Sequence, residues 1–475
     1  MKKTLLFLLL GALLLSVLAG CNGTETQGTP DPLQSAEQTP GTGSDSELPL
    51  QECESEEPAS GAVQPEPAAE PVILTIASFG GTLVDESLIW DYNEAHPEVQ
   101  LQLIDYGDLT DHNLEAALLR LHADLVSADA PDLVDVLGFG LNLEKYAAAG
   151  VFEDLYPWID SDPDTNREDY LDSVFSLMTF DGKLQAVMSG FSVKTMYLPQ
   201  SQAASLEAWT VSDFAPYANT VGQASLFAGA EDKLDRESLL SQLCTTTVLS
   251  FVDYEAGQAQ FDSPAFRELL ELCCSMEPDP LTPPRVRLAS EWNFYEAQYE
   301  AVVMGEAVSY VGFPTFAEYG ARHYVNNQEN YLAMSANGLH KDAAWSFLKA
   351  FLRQDYQTQR YALTRSPRAF PTNRSALNEM VQQAGMEHYE TDADGAERLY
   401  TAYGQYDYAY NPASAQEIEQ LLALIDAVDG MQGYDSEISK IVLEEASAYF
   451  DGAQTLELTV SYIQSRVSLY LSEQS

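Results

Sequence analysis

The chain has 475 residues and sets 73 acidic side chains against 23 basic ones, a formal charge of −50. Nucleic-acid binding needs clustered Lys and Arg, and none occurs between Lys3 and Arg120, so that function class is disfavoured. A hydrophobic fraction of 45% predicts a folded body with two or three domains' worth of core, and five cysteines are too few for a disulfide framework.

Met1-Lys2-Lys3 followed by a Leu-rich run to Leu18 has the layout of a secretory signal, too short and wrongly flanked for a spanning helix. It ends in Leu18-Ala19-Gly20-Cys21, which resembles a bacterial lipobox. The resemblance implies cleavage after residue 20 and a lipidated Cys21 at the mature N-terminus, held in the membrane by acyl chains. From Asn22 to Pro71 there are eleven acids, eight prolines, no Lys or Arg and no aromatic residue. Such a segment buries too little apolar surface to offset its ordering entropy, so 21–71 is expected to be a disordered, self-repelling tether. Its length suits a protein standing off a Gram-positive membrane.

The body begins at Val72. Val72 to Ser78 is a β-branched apolar run, a buried strand, and Phe79 to Thr82 is a turn. Leu83 to His96 reads as a helix stopped by Pro97. Val99 to Asp105 alternates with period two, a second strand. Asp111 is expected to cap a helix whose Leu114, Leu118, Leu121 and Leu125 form one stripe. Leu133 to Leu137 is a third strand. This βαβαβ order predicts an α/β fold with a parallel sheet, and ligands of such sheets bind at the strands' carboxyl ends.

Lys183 to Leu198 is strand-rich again. Thr210 with Asp213 opens a capped helix, and Trp209 reads as its hydrophobic staple. Asp262-Ser263-Pro264 caps the helix to Cys274. Ala343 to Leu352 is amphipathic with Ala344, Trp345, Leu348, Phe351 and Leu352 inward. The tail is expected to be all helical, at 415–428, 435–450 and 456–471.

The body resembles the family 1 extracellular solute-binding proteins of ABC importers, the maltose-binding-protein-like carbohydrate type. Ile73 to Phe79 and Glu98 to Asp105 resemble the family's opening, and Ala130-Pro131-Asp132-Leu133-Val134 its third strand. Asp181-Gly182-Lys183-Leu184 resembles the turn into the first crossover. Phe261-Asp262-Ser263-Pro264 resembles a second-lobe motif. Met304-Gly305-Glu306-Ala307-Val308 and Val311-Gly312-Phe313-Pro314-Thr315 resemble the return crossover, and Ala369 to Arg374 a later strand-to-helix step. The resemblance implies a two-lobed periplasmic-binding-protein-like fold of the Venus flytrap, type II kind. Lobe 1 would be 72–190 with 329–365, and lobe 2 would be 191–328 with 366–475. It implies a binding protein and no enzyme, monomeric, without cofactor or metal. It would capture a sugar or oligosaccharide and deliver it to a membrane permease with its ATPase.

Sugars present polar edges and apolar faces, so their sites combine aromatic platforms with planar hydrogen-bonding groups. The expected ligand residues are Phe79, Gly80 and Gly81 after the first strand, Tyr106 after the second, and Phe191 at the first crossover. Trp292 is a second-lobe candidate. The resemblance adds Asp132, where maltose-binding-type members place an acid, and it sets Thr315 opposite their stacking Trp, with Phe313 or Phe316 as the substitute. Tyr400, Tyr403, Tyr406, Tyr408 and Tyr410 form a further aromatic cluster. Asp160, Asp162, Asp164 and Asn166 begin like a calcium loop, but Leu171 stands where a bidentate Glu belongs. Two other readings stay open at this stage: a secreted glycoside hydrolase, since 73 acids make paired carboxylates inevitable, and a binding protein for a peptide or polyamine.

Overall fold

The structure, a computed structural model, describes residues 70–80, 84, 86–204, 206, 209–221, 235–254, 256–276, 286–291, 293–315, 321–364, 367–391, 395–399, 412–431 and 435–474. Cys21, the expected tether as far as residue 69, Gly81, Trp292, Phe316 and the tyrosines of 400–410 lie outside them.

The first βαβαβ unit forms where the pattern predicts it. Strand β1 is Val72–Ser78, helix α1 Glu86–Ala95, strand β2 Val99–Asp105, helix α2 Leu114–Leu125 and strand β3 Leu133–Asp135. β1 pairs in parallel with both β2 and β3, Ile76 lying between Leu103 and Leu133. α2 starts one turn later than its expected cap: Asn113 accepts from the Ala116 N–H at 3.0 Å, while Asp111 takes a left-handed φ of 51° in the preceding turn. β3 stops at Asp135 because that side chain caps a short helical turn over Val136–Phe139.

The chain then runs through β4, Gly190–Pro199, into a second lobe. There follow α3 Val211–Val221, α4 Arg236–Cys244, α5 Pro264–Cys274, β5 Arg287–Glu291, α6 Glu296–Met304 and β6 Val308–Tyr310. The two predicted caps are present: Asp213 Oδ2 accepts from Thr210, and Ser263 Oγ from the Phe266 N–H. Trp209 packs edge-on against Phe214, as a staple would. Strand β7, Ala321–Glu329, returns to the first lobe and becomes β8, Leu332–Met334, antiparallel to β3. After it come α7 Lys341–Leu352, α8 Arg374–Ala384, α9 Ala415–Asp426, β9 Val428–Met431, α10 Ser436–Phe450 and α11 Leu456–Gln474.

Two sheets result. The first has the order β8-β3-β1-β2; the second is built on β4, which pairs with β5, β6, β7 and residues 370–371, while β9 lies parallel to β7. The tail is therefore not wholly helical. Val428 leaves the expected helix to pair with His323, because the edge of β7 offers unpaired backbone groups there.

Antiparallel partners share a sheet face, and the two faces of β4 enter different cores. Phe191 and Val193, with Val325 and Phe370, join the first apolar cluster, which includes Leu74, Ile76, Leu121 and Leu133. Met196 and Leu198, with Tyr324, join the second, formed by α3, α4, α5, α10 and α11. The expected lobe boundary also shifts. Leu377, Met380, Leu421, Leu424 and Ile425 belong to the first cluster, so α8 and α9 pack with lobe 1, and only α10 and α11 with lobe 2.

At the entrance to β4 a buried polar network replaces apolar packing. The Ser189 and Tyr361 hydroxyls lie 2.6 Å apart, and Asn330 Nδ2 donates to Ser189 at 2.8 Å and to Tyr356 at 3.2 Å. Gly190 is required there: a Cβ would stand 2.7 Å from the Tyr361 ring. Gly190→Ala is expected to destabilise the protein by about 1–3 kcal/mol, the range for overpacking, read as a lower denaturation midpoint. An unchanged midpoint would show that Tyr361 yields freely.

Candidate functional site

The carboxyl ends of β1 and β2 are tied by one side chain. Asp105 Oδ1 accepts from the Gly80 N–H at 2.9 Å and from the Gly107 N–H at 2.7 Å. Gly80 needs its φ of 72° to turn into this contact, and a Cβ on Gly107 would lie 2.9 Å from both Asp105 and His112. The clamp leaves Gly80, Asp108 and His112 exposed at this rim. Beyond β3, residues 143–148 form a short helix anchored by Leu143 and Tyr146 in the first cluster. Its Lys145 reaches the second lobe: Nζ donates to the Tyr470 hydroxyl at 3.4 Å and sits 5.4 Å from that ring's centre. Tyr470 and Tyr254 both donate to Asp435 Oδ2, at 3.3 and 3.2 Å. The two lobes therefore meet on this side through α11.

The second-lobe sheet contributes a polar surface. On the β4 face that buries Met196 and Leu198, the two residues nearer the crossover are Ser192 and Lys194. Ser290 of β5 lies directly opposite Lys194. Asn326 of β7 reaches across, its Nδ2 donating to Ser290 Oγ at 3.2 Å, and Ser192 Oγ donates to the Asn326 carbonyl at 3.1 Å. Lys194 Nζ donates to Oε1 of the exposed Gln242 on α4 at 3.1 Å. One sheet face thus changes from apolar core to amide, hydroxyl and ammonium groups where the chain crosses between lobes. Lys194, Ser290 and Asn326 are partly buried and Ser192 fully so. Burial alone pushes the Lys194 ammonium down to about 8.

The opposite face carries buried acids. Glu291 has no exposed surface, and among the described residues neither of its carboxylate oxygens has a hydrogen-bond partner. Burial drives its pKa well above the carboxylate range, and Glu296 and Glu300 push it further. Glu300 is paired with Arg287 at 2.9 Å, and Glu296 accepts from Asn293 Nδ2 at 3.1 Å. Burial and the neighbouring carboxylates thus favour the protonated form of Glu291.

Several expected ligand residues are placed elsewhere. Asp132 precedes β3, at the strand's amino end, opposite the carboxyl ends. It is 3% exposed and saturated: Oδ2 accepts from the Thr75 N–H and hydroxyl, both at 3.0 Å, and Oδ1 from the His340 N–H at 3.0 Å. It fastens β3 to β1 and to the start of α7. Tyr106 is buried edge-on against Phe139, its hydroxyl donating to Asp124 at 2.8 Å. Phe191 and Phe313 have no exposed surface and pack against Phe370 and Tyr324 respectively. Thr315 is also fully buried, bridged to Thr210. These five side chains are structural here: the strand-end rule locates a backbone turn but not which way its side chain points. Phe79 is partly buried against Phe139, so of the named set Phe79 and Gly80 keep surface at the rim. The calcium-like carboxylates are engaged by cations: Asp160 by Arg167, Asp162 and Asp164 by Lys349.

Lys194, Gln242, Ser290 and Asn326 were not among the expected residues. A signal for the first did exist. In Gly190–Pro199, Ser192 and Lys194 share an alternating face with Met196 and Leu198, so polarity breaks the apolar period inside one strand. The cross-strand partners come from register, which no local pattern gives.

No protein-family model matches the chain, and no curated protein matches its sequence. Solved structures do match. The sugar-binding protein MalE from the phytopathogen Xanthomonas citri superposes with a TM-score of 0.53 at 14% identity, covering 85% of this chain and 98% of that one. A candidate oligosaccharide periplasmic-binding protein from Synechococcus sp. MITs9220 gives 0.50 at 14% identity, covering 84% and 99%. The fold is that of the two-lobed periplasmic binding proteins, as the sequence resemblance implies.

Two measurements check the assignments. Asp132→Ala removes the acceptor of three donors and is expected to cost about 2–4 kcal/mol of stability, while ligand affinity changes less than threefold; a large affinity loss in a folded variant would return Asp132 to the site. For Glu291, a raised native pKa means the folded state holds a proton that the unfolded chain releases above about 4.5. Its contribution therefore falls as pH rises from there towards the native pKa. Glu291→Gln is expected to raise the melting temperature at pH 7–8, with the gain narrowing towards pH 4.5. A gain that grows on acidification would contradict this.

Proposed function

We propose that the chain is the extracellular receptor of an ABC importer, capturing a carbohydrate between its lobes and handing it unchanged to a membrane permease with its ATPase. The observation that carries this reading is the polar surface of Ser192, Lys194, Ser290, Asn326 and Gln242 at the crossover end of the second-lobe sheet. Amides and hydroxyls on neighbouring strands match the alternating donors and acceptors of sugar hydroxyl groups. Two lobes joined by crossovers give the hinge: a ligand that touches both lobes only when they close shifts the equilibrium towards closure. The named solved neighbours, a sugar-binding MalE and a candidate oligosaccharide-binding protein, support the carbohydrate class.

Lipidation at Cys21, following Leu18-Ala19-Gly20, would hold the receptor at the outer face of the cell membrane, with 22–71 as the spacer. Among the described residues no helix is long and apolar enough to cross a membrane.

The test is calorimetry against a glycan panel, combined with small-angle scattering and recovery of the sugar. The expected result is micromolar or tighter binding of at least one oligosaccharide, a smaller radius of gyration on binding, and return of the sugar intact. Release of new reducing ends would make the protein a hydrolase; binding without compaction would refute capture by closure.

A further inference from the structure

Lys194 is a partly buried cation set among neutral polar groups. In a chain with 73 acids and 23 bases, cations readily find carboxylates. Arg287 holds Glu300, Lys341 holds Glu153, Lys349 holds Asp162 and Arg466 holds Glu445. Among the described residues no carboxylate pairs with Lys194, and its recorded hydrogen bond goes to the neutral Gln242 amide. A partly buried ammonium without a counter-ion is costly. Tyr324 and Ser290 lie directly across the sheet on either side of it, with Ser192, Asn326 and Gln242 nearby, and none of these side chains is a carboxylate.

We propose that Lys194 is the counter-ion for a carboxylate on the solute, and that the receptor's substrates are acidic saccharides of the uronic-acid kind. A uronate pairs one negative charge with several hydroxyls on the same ring. The charge meets the ammonium, and the hydroxyls meet Asn326, Ser290 and Gln242. An ammonium acts as a point charge, so it accepts a carboxylate without demanding the bidentate geometry an Arg would impose. The acidic exterior repels polyanions over its long-range field. A short oligomer with few charges therefore suits the site better than a polymer. This inference rests on the carbohydrate reading and sharpens it.

The test compares short galacturonate and glucuronate oligosaccharides with their carboxyl-reduced, neutral counterparts by calorimetry on the full protein. The expected result is at least tenfold tighter binding of an acidic form. Lys194→Met should remove that preference, so that the acidic and neutral forms bind within threefold of each other. The variant is expected to fold, since it removes a partly buried charge that pairs with no carboxylate among the described residues. Gln242→Leu, at an exposed position, is expected to weaken the acidic ligand by at least threefold and serves as a second check. Neutral forms binding as tightly as acidic ones, or an acidic preference surviving in Lys194→Met, would overturn the inference and leave the carbohydrate reading standing. Binding of neither form, with a non-sugar solute bound instead, would overturn both.

Discussion

Everything in the architecture depends on β4 serving two cores. Its Phe191 and Val193 are buried in one apolar cluster, and its Met196 and Leu198 in the other, on the opposite sheet face. Burying a large apolar side chain stabilises by about 1.5–3 kcal/mol, so each end of this strand is held firmly by its own lobe. The segment just before it is held differently, by hydrogen bonds among Ser189, Asn330, Tyr356 and Tyr361 around a glycine. Val187 and Met188 before this junction and Phe191 and Val193 after it all belong to the first cluster, so the polar network is set inside lobe 1.

The same strand explains where the proposed ligand surface lies. Its second-core face does not remain apolar to the end; Ser192 and Lys194 interrupt it, and β5 and β7 complete the polar patch with Ser290 and Asn326. The other face keeps its titratable groups away from solvent, Glu291 with its pKa raised by burial and Glu300 within an ion pair. Accessibility, more than residue type, separates the recognition surface from buried polarity, since both faces of one sheet contain charged residues.

Much of the fold was legible in the sequence. β1 and β2, the start of α5 at Ser263-Pro264, and the buried face of α7 follow from period, caps and proline placement. Local pattern failed where pairing decided the outcome. Val428 reads as the end of a helix until β7 supplies an edge, and α8 and α9 look like second-lobe helices until residues 370–371 pair with β4. The site was read less well for a related reason. Aromatic and acidic residues at strand ends resemble ligands in one dimension, but Tyr106 spends its hydroxyl on Asp124 and Asp132 spends its oxygens on Thr75 and His340. Packing and hydrogen bonds to residues distant in sequence claimed them first. The resemblance that identified the fold came from the order of weak motifs, a global property that survives at 14% identity.

The Asp105 clamp has an evolutionary consequence. Because one oxygen grips the backbone of both Gly80 and Gly107, the first held by its positive φ and the second by its lack of room for a Cβ, the two rims share a fixed scaffold. Diversification of specificity on this side must then come from outward-facing substitutions such as those at Asp108 or His112, with the main-chain path inherited unchanged.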